Sequence, residues 1–267
     1  MGSQAIYLVF VAVFVLAGCQ QQHKKDADVP ARGPQVEAVS PPSEEAARAI
    51  QAAGGLKAWK KTAKLQFDCV VTFYQPDGSF YLTEQRYEVR PWLNSIQISA
   101  DEPQGAFVWQ LSNGQFNVLR GAGQIDALPK AVTSRCFAEV ILNIITAPAR
   151  FLDGSVEFSK QSGPIKMQGK WYYPIKRQGK DVAVSISEAV FYQDRDSSLV
   201  DMIRLACLSS GTARDKLIQY VRGYDYQAVE KGAPLIPARI EIFETDARDR
   251  TQKRLVKIDF SRGKRTQ

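Results

Sequence analysis

From Leu65 to Phe260 apolar and polar residues alternate again and again, and one long stretch of helical spacing interrupts that period of two. Leu65, Phe67, Cys69, Val71 and Phe73 alternate with Lys64, Gln66, Asp68, Val70 and Thr72, as in a strand with one face buried. Pro76-Asp77-Gly78-Ser79 supplies turn chemistry, and Phe80 to Arg90 returns with Tyr81, Thr83, Gln85, Tyr87 and Val89 on one face, which makes a hairpin. Strand-like runs follow at Leu93 to Ala100, Gly105 to Leu111 and Gln115 to Arg120, the last two joined by Asn113-Gly114. Between Leu128 and Pro148 the period changes: Val132, Cys136, Val140 and Ile144 form one stripe, with Phe137, Ile141 and Ile145 beside it. An apolar face that wide must lie on a sheet. Beyond Asp153-Gly154 strands resume at Ser155 to Ser159, Gly169 to Arg177, Ser187 to Gln193, Leu199 to Leu208, Lys216 to Tyr226, Ala238 to Glu244 and Leu255 to Phe260. Strands and helices do not alternate as in parallel α/β folds, and the strands are too many for a small sandwich. The expected fold is mainly β with a helical insert (α+β). A single curved antiparallel sheet would form an unclosed, half β-barrel with helices on its concave side.

The N-terminus has a different character. Ile6 to Leu16 is an uncharged apolar run followed by Ala17-Gly18 and Cys19, the order of an export signal and its cleavage site, although Met1 to Ala5 lacks the usual Lys or Arg. The run is shorter than the about 20 residues of a transmembrane helix. Leu16-Ala17-Gly18-Cys19 resembles the lipobox of bacterial lipoproteins, which implies acylation of Cys19 and a mature chain starting there. Residues 19–42, polar and with Pro30, Pro34, Pro41 and Pro42, read as a disordered tether between the signal (1–18) and a domain spanning 43–267. Ser43 offers an N-cap to E-E-A-A-R-A-I-Q-A-A, Gly54-Gly55 stops that helix, and Leu56 to Trp59 begins another turn. Gln20, which is not Asp, favours the outer membrane facing the periplasm over the inner membrane, by resemblance to proteobacterial sorting signals.

The residues that chemistry requires are scarce. The single histidine, His23, lies in the tether, so no Ser-His-Asp or Cys-His pair can form within the domain. Metal-binding patterns such as C-x-x-C, H-E-x-x-H or an EF-hand loop do not occur, and Gly121-Ala122-Gly123 is too short to cradle phosphate. Asp181, Glu188, Asp194 and Asp196 cluster in sequence but read as exposed strand and turn positions. The expectation is a non-enzyme without cofactor or metal. Apart from Cys19, Cys69, Cys136 and Cys207 allow at most one disulfide, and buried thiols are expected. A net charge of +7 favours anionic surfaces, and at an exported address those are lipid headgroups or cell-wall polymers, not nucleic acid.

The order of elements, with A-A-G-G-L-K-A-W (52–59) before the first strand, a central helix ending near Pro148 and a late P-L-I-P-A-R-I-E-I-F strand (234–243), resembles the LolA/LolB-type lipoprotein-localisation proteins and their lipid-carrying relatives. The resemblance covers the chain from about Ser43 onwards. It implies an unclosed barrel whose helices cover an apolar cavity for acyl chains, here on a membrane-anchored carrier or receptor. Phe67, Phe73, Tyr87, Trp109, Phe116, Phe137, Ile141, Trp171 and Phe191 are the candidates to line such a cavity, weighed against the ordinary role of such residues as filled core. The alternative is a protein-interaction or envelope-sensor module of the same fold, with an envelope protein as partner and no lipid ligand.

Overall fold

A computed structural model describes residues 44–103, 105–126, 128, 132–153, 157–160, 163–178, 186–208, 216–245 and 251–266, all within one compact unit. The expected signal (1–18), Cys19 and the tether (19–42) lie outside the described residues, as does Asp181.

The domain opens with helix α1 (Glu44–Ala52), whose first turn carries Glu44 and Glu45 where acidic groups suit the helix dipole. Gly54 and Gly55, at φ 99° and 86°, end it, and the Gly55 N–H donates to Ile50 O at 2.9 Å. A Cβ at Gly54 would sit 3.1 Å from the Pro234 backbone, so glycine is needed for conformation and for close approach alike. After α2 (Leu56–Lys60) come β1 (Lys64–Tyr74) and β2 (Phe80–Arg90), a 3-10 turn at Pro91–Leu93, then β3 (Ser95–Ala100), β4 (Phe107–Ser112) and β5 (Gln115–Arg120). Helix α3 (Ser134–Arg150) is capped by Thr133, whose Oγ1 accepts the Cys136 N–H at 3.1 Å. Ten strands follow: β6 (Glu157–Lys160), β7 (Ile165–Met167), β8 (Lys170–Gln178), β9 (Ile186–Asp194), β10 (Val200–Leu208), β11 (Lys216–Tyr224), β12 (Gln227–Ala228), β13 (Leu235–Ile236), β14 (Arg239–Thr245) and β15 (Thr251–Thr266).

One antiparallel sheet runs in the order β5-β4-β3-β2-β1-β15-β14-β11-β10-β9-β8-β6, with β7 on β8; β12 and β13 pair separately. The last strand lies near the middle of the order, between β1 and β14, and β5 and β6 are unjoined edges, so the sheet is unclosed. Helix α3 touches β3 and β4 from one half of the order and β9, β10 and β11 from the other, which requires the sheet to curve around it. The main core lies in that concavity, built from α1, α3 and the inward residues of both halves. The fold is therefore the expected mainly β, unclosed antiparallel sheet with helices on the inside.

Several particulars differ from the sequence reading. Helix α3 runs through Pro148 to Arg150, and every residue from Cys136 to Arg150 is buried, so the helix is enclosed where a single apolar face against the sheet was expected. Strand β15 extends well past the alternation seen from Leu255 to Phe260, because its polar ends are held by pairing, Thr251 to Thr245 and Thr266 to Lys64. The short strands β7, β12 and β13 lack any alternation long enough to read. Cys136 and Cys207 are not separate thiols: they form a disulfide that ties α3 to β10. Cys69 does remain a buried thiol, and burial pushes its pKa up to about 12.

Candidate functional site

The covered face of the sheet is where a ligand would be held, and three elements cover it: α1, α3 and the β12–β13 hairpin. Most of the space beneath them is filled. Phe73 packs on Phe137 with ring centroids 5.7 Å apart, Phe107 stacks on Trp109 at 4.1 Å, and Phe151, Phe158 and Phe191 meet edge to face.

Among the described residues, two openings are seen on that face. One lies at the seam between the sheet's free edges, where Leu111 and Gly114 from one side face Phe158, Arg177 and Phe191 from the other across α3. Here α3 presents a polar stripe. Arg135 Nε donates to Glu139 Oε1 at 3.2 Å and its Nη2 to Gly114 O at 2.8 Å; Asn143 donates to Glu139 O at 2.7 Å; Arg150 donates to Asn94 Oδ1. Glu139 is 2% exposed, so its charge is kept in the interior by the Arg135 guanidinium. The seam cavity is about 20 Å³, room for a single water.

The other opening is larger, about 250 Å³, and lies between the hairpin and strands β1 and β15. Phe67, Val229, Ile236, Pro237 and Phe260 line it, but with Gln227, Ser261 and main-chain groups the surface it presents is more polar than apolar. Its shape depends on Gly263, the cross-strand partner of Phe67: a Cβ there would lie 2.6 Å from Val229 Cγ1, so only glycine lets the hairpin settle this closely onto the strand. Arg265 fastens the hairpin by donating to Glu230 Oε1 at 3.0 Å and Gly232 O at 2.7 Å, and the Leu235 N–H donates to Ala53 O at 3.0 Å. A third and wider depression, about 720 Å³, crosses β1 to β5 beside Asp68, Glu84, Arg86 and Arg120, and its charged lining is unsuited to an apolar ligand.

The candidate lining residues fall at different places. Phe67 borders the hairpin cavity and Phe191 the seam. Phe73, Tyr87, Trp109, Phe137 and Ile141 are fully buried among other side chains, with Tyr87 donating to Gln85 Oε1 at 3.0 Å and Trp109 Nε1 to Ala122 O at 2.7 Å. Phe116 is partly buried against the core. Trp171 shares the strand face of Tyr173 and Ile175 but stands near the strand's end, 40% exposed, so it borders neither opening on the covered face. Sequence reasoning missed the polar stripe of α3, although Arg135, Glu139 and Asn143 recur at intervals of four, the same signal that identified the apolar stripes. It missed Val229, Ile236 and Phe260 as cavity residues because only long-range packing brings the hairpin over β15.

Acidic groups outside this face also depart from the exposed placement expected of them. Asp194 is buried, and Lys170 Nζ lies 2.9 Å from its Oδ2 and 2.8 Å from Asp201 Oδ2, whereas Asp196 stays exposed. Among the described residues no group of three His, Cys, Asp or Glu side chains is placed to hold a metal ion, and no helix is long and apolar enough to cross a membrane.

The sequence matches no protein-family model and no curated protein. The fold does match solved structures. A LolA superfamily protein from Nitrosomonas europaea superposes with a TM-score of 0.54 over 84% of this chain and 94% of its own, at 12% identity. A DUF1329 family protein from Desulfovibrio piger covers 83% and 90% at 10% identity with a TM-score of 0.47. A putative outer membrane lipoprotein-sorting protein domain from Vibrio parahaemolyticus covers 82% and 93% at 6% identity with a TM-score of 0.45.

Proposed function

We propose, from a fold that is LolA-like, that this chain is a membrane-anchored envelope lipoprotein whose half-barrel binds a hydrophobic ligand, a lipid or a lipoprotein acyl chain, as a carrier or receptor. The observation that carries this reading is the cavity of about 250 Å³ beneath the β12–β13 hairpin, where Phe67, Val229, Ile236 and Phe260 stand beside a wall that is more polar than apolar overall. Small-molecule sites begin at about 300 Å³, so the cavity suits part of an acyl chain, and each methylene buried there is worth about 0.8 kcal/mol. Residues 1–18 then serve as the export signal, an acylated Cys19 as the anchor and 19–42 as the tether, with the domain at the outer membrane facing the periplasm. The chemistry assigned to the domain is binding, with neither a catalytic residue nor a cofactor.

Native mass spectrometry of the purified protein tests the ligand: it should show co-bound lipid or fatty acid, reduced when Val229→Trp fills the cavity. Ligand-free protein in both forms would sink the carrier reading. Membrane fractionation tests the anchor, since Cys19→Ser should release the domain to the soluble fraction.

A second reading, a protein-interaction or envelope-sensor module without lipid, is favoured by the filled interior, where Phe73, Trp109, Phe137 and Ile141 occupy the centre and the seam holds only about 20 Å³. One stoichiometric envelope partner, recovered with the protein and without lipid, would decide for it.

A further inference from the structure

We infer that the end of the domain formed by α2 and the Pro91–Leu93 turn is a docking surface for an anionic lipid bilayer. Helix α2 buries Ala58 and Trp59 and turns Leu56, Lys57, Lys60 and the following Lys61 outward; these positions, separated by one and four residues, share one helix face. The Trp92 indole N–H donates to Trp59 O at 3.2 Å, which fixes the 3-10 turn against the C-terminal end of α2. Three large apolar side chains on these two joined elements are exposed: Leu56 at 42%, Trp92 at 41% and Leu93 at 56%. A single exposed apolar residue needs no explanation, but a group of them beside unpaired cations does. The ammonium groups of Lys57, Lys60 and Lys61 have no carboxylate partner among the described residues. Arg90, at the start of the turn, is paired with Glu88 at 2.7 Å, so the unbalanced positive charge at this end comes from the three lysines.

The chemistry fits a bilayer better than an acidic protein. Tryptophan and leucine tips enter the headgroup region, where an indole sits with one end apolar and the other wet, and lysine stems lie along the apolar surface while their charges reach lipid phosphates. Lysines are mobile point charges suited to a diffuse anionic surface; a protein carboxylate is matched more specifically by the planar fork of arginine, and α2 has none, while Arg90 beside the turn is already held by Glu88. The surface requires neither acylation of Cys19 nor a ligand in the hairpin cavity.

The test uses the full chain with vesicles of phosphatidylcholine and with vesicles of phosphatidylcholine mixed with phosphatidylglycerol, both containing brominated acyl chains. The readout is quenching of the emission that disappears in Trp92→Phe. On anionic vesicles that emission should be quenched. On zwitterionic vesicles it should not. The combined variant Lys57→Gln, Lys60→Gln and Lys61→Gln should weaken anionic binding on the order of a hundredfold, and added salt should weaken the parent protein more than the variant. The three lysine side chains are exposed, so an unchanged thermal midpoint is expected of the lysine variant and serves as its folding control. Cys19→Ser should leave the Trp92 quenching as it is, which separates this surface from the lipid anchor. Equal binding to both vesicles with Trp92 unquenched would assign attachment to the N-terminal segment and overturn the proposal. So would anionic binding that is insensitive to the three lysines, which would place the contact on another basic surface.

Discussion

Lys170 illustrates at the scale of one residue how a half-exposed charge can hold buried ones. Its ammonium bridges Asp194 and Asp201, and Asp201 Oδ1 is enclosed with no hydrogen-bond partner among the described residues. Burial pushes the Asp201 carboxyl above the usual range, more than Lys170 draws it back. Burial works on Asp194 too, but there Lys170 and the backbone N–H groups of Ser197 and Asp196 outweigh it and hold the carboxyl below its ordinary value. Lys170→Met removes the shared counter-ion and should cost about 1–2 kcal/mol near neutral pH, solvent at the half-exposed ammonium keeping the loss modest. The sign of the pH effect follows from the two shifts. Asp194 contributes stability above its unfolded pKa that is lost as pH falls through its depressed folded value, whereas ionised Asp201 is a cost that disappears as pH falls through its raised one. The gap between variant and parent, measured by urea unfolding, should therefore narrow in acid; a gap independent of pH would show that the ion pairs are not its source. Local sequence could identify Asp194 as a turn residue but not as a buried one, because its burial depends on β8 lying alongside β9 with Tyr172 opposite Asp194.

At the scale of elements, α3 shows both what spacing reveals and what it hides. Its apolar stripes were legible from Val132, Cys136, Val140 and Ile144, and its start at Thr133 agrees with ordinary capping chemistry. Enclosure on all sides was not legible, since Glu139, Asn143 and Arg150 look like a solvated face until the sheet's free edges close around them. The Cys136–Cys207 disulfide joins this helix to β10 across 71 residues of sequence. By loop-closure entropy such a link stabilises by about 4 kcal/mol, which corresponds to roughly 10 °C in the melting temperature of a domain this size. Melting the protein with and without a reductant, and as Cys136→Ala with Cys207→Ala, should show that drop in both cases. If the double variant melts with the oxidised parent, the disulfide does not constrain the unfolded chain. The three cysteines of the domain allowed three pairings, and only the approach of α3 to β10 selects one, leaving Cys69 enclosed between β15 and β2.

Over the whole molecule the governing fact is the place of β15. The final strand pairs with both β1 and β14 and so joins the half made by β1 to β5 with the half made by β6 to β11 and β14. A chain terminated before Leu255 would lose the strand that links the two halves, together with Phe260 and Gly263 of the hairpin cavity. It should be protease-sensitive and without a cooperative unfolding transition; a folded, protease-resistant product would show that either half is stable without the joining strand. The alternation of Leu65 to Phe73 and of its successors, the turn residues and the single helical block determined by themselves that this protein is one antiparallel, mainly β domain with an inserted helix. Those features are local, set by backbone geometry and by which side of each element meets water. The order of strands, the central position of β15, the disulfide pairing, the burial of Asp194 and the cavity beneath the hairpin were decided only by tertiary structure. Each depends on which distant segments share a surface, and many arrangements of the same strands would satisfy the local pattern equally well. Packing against α3 and close approach at positions such as Gly263 select one of them.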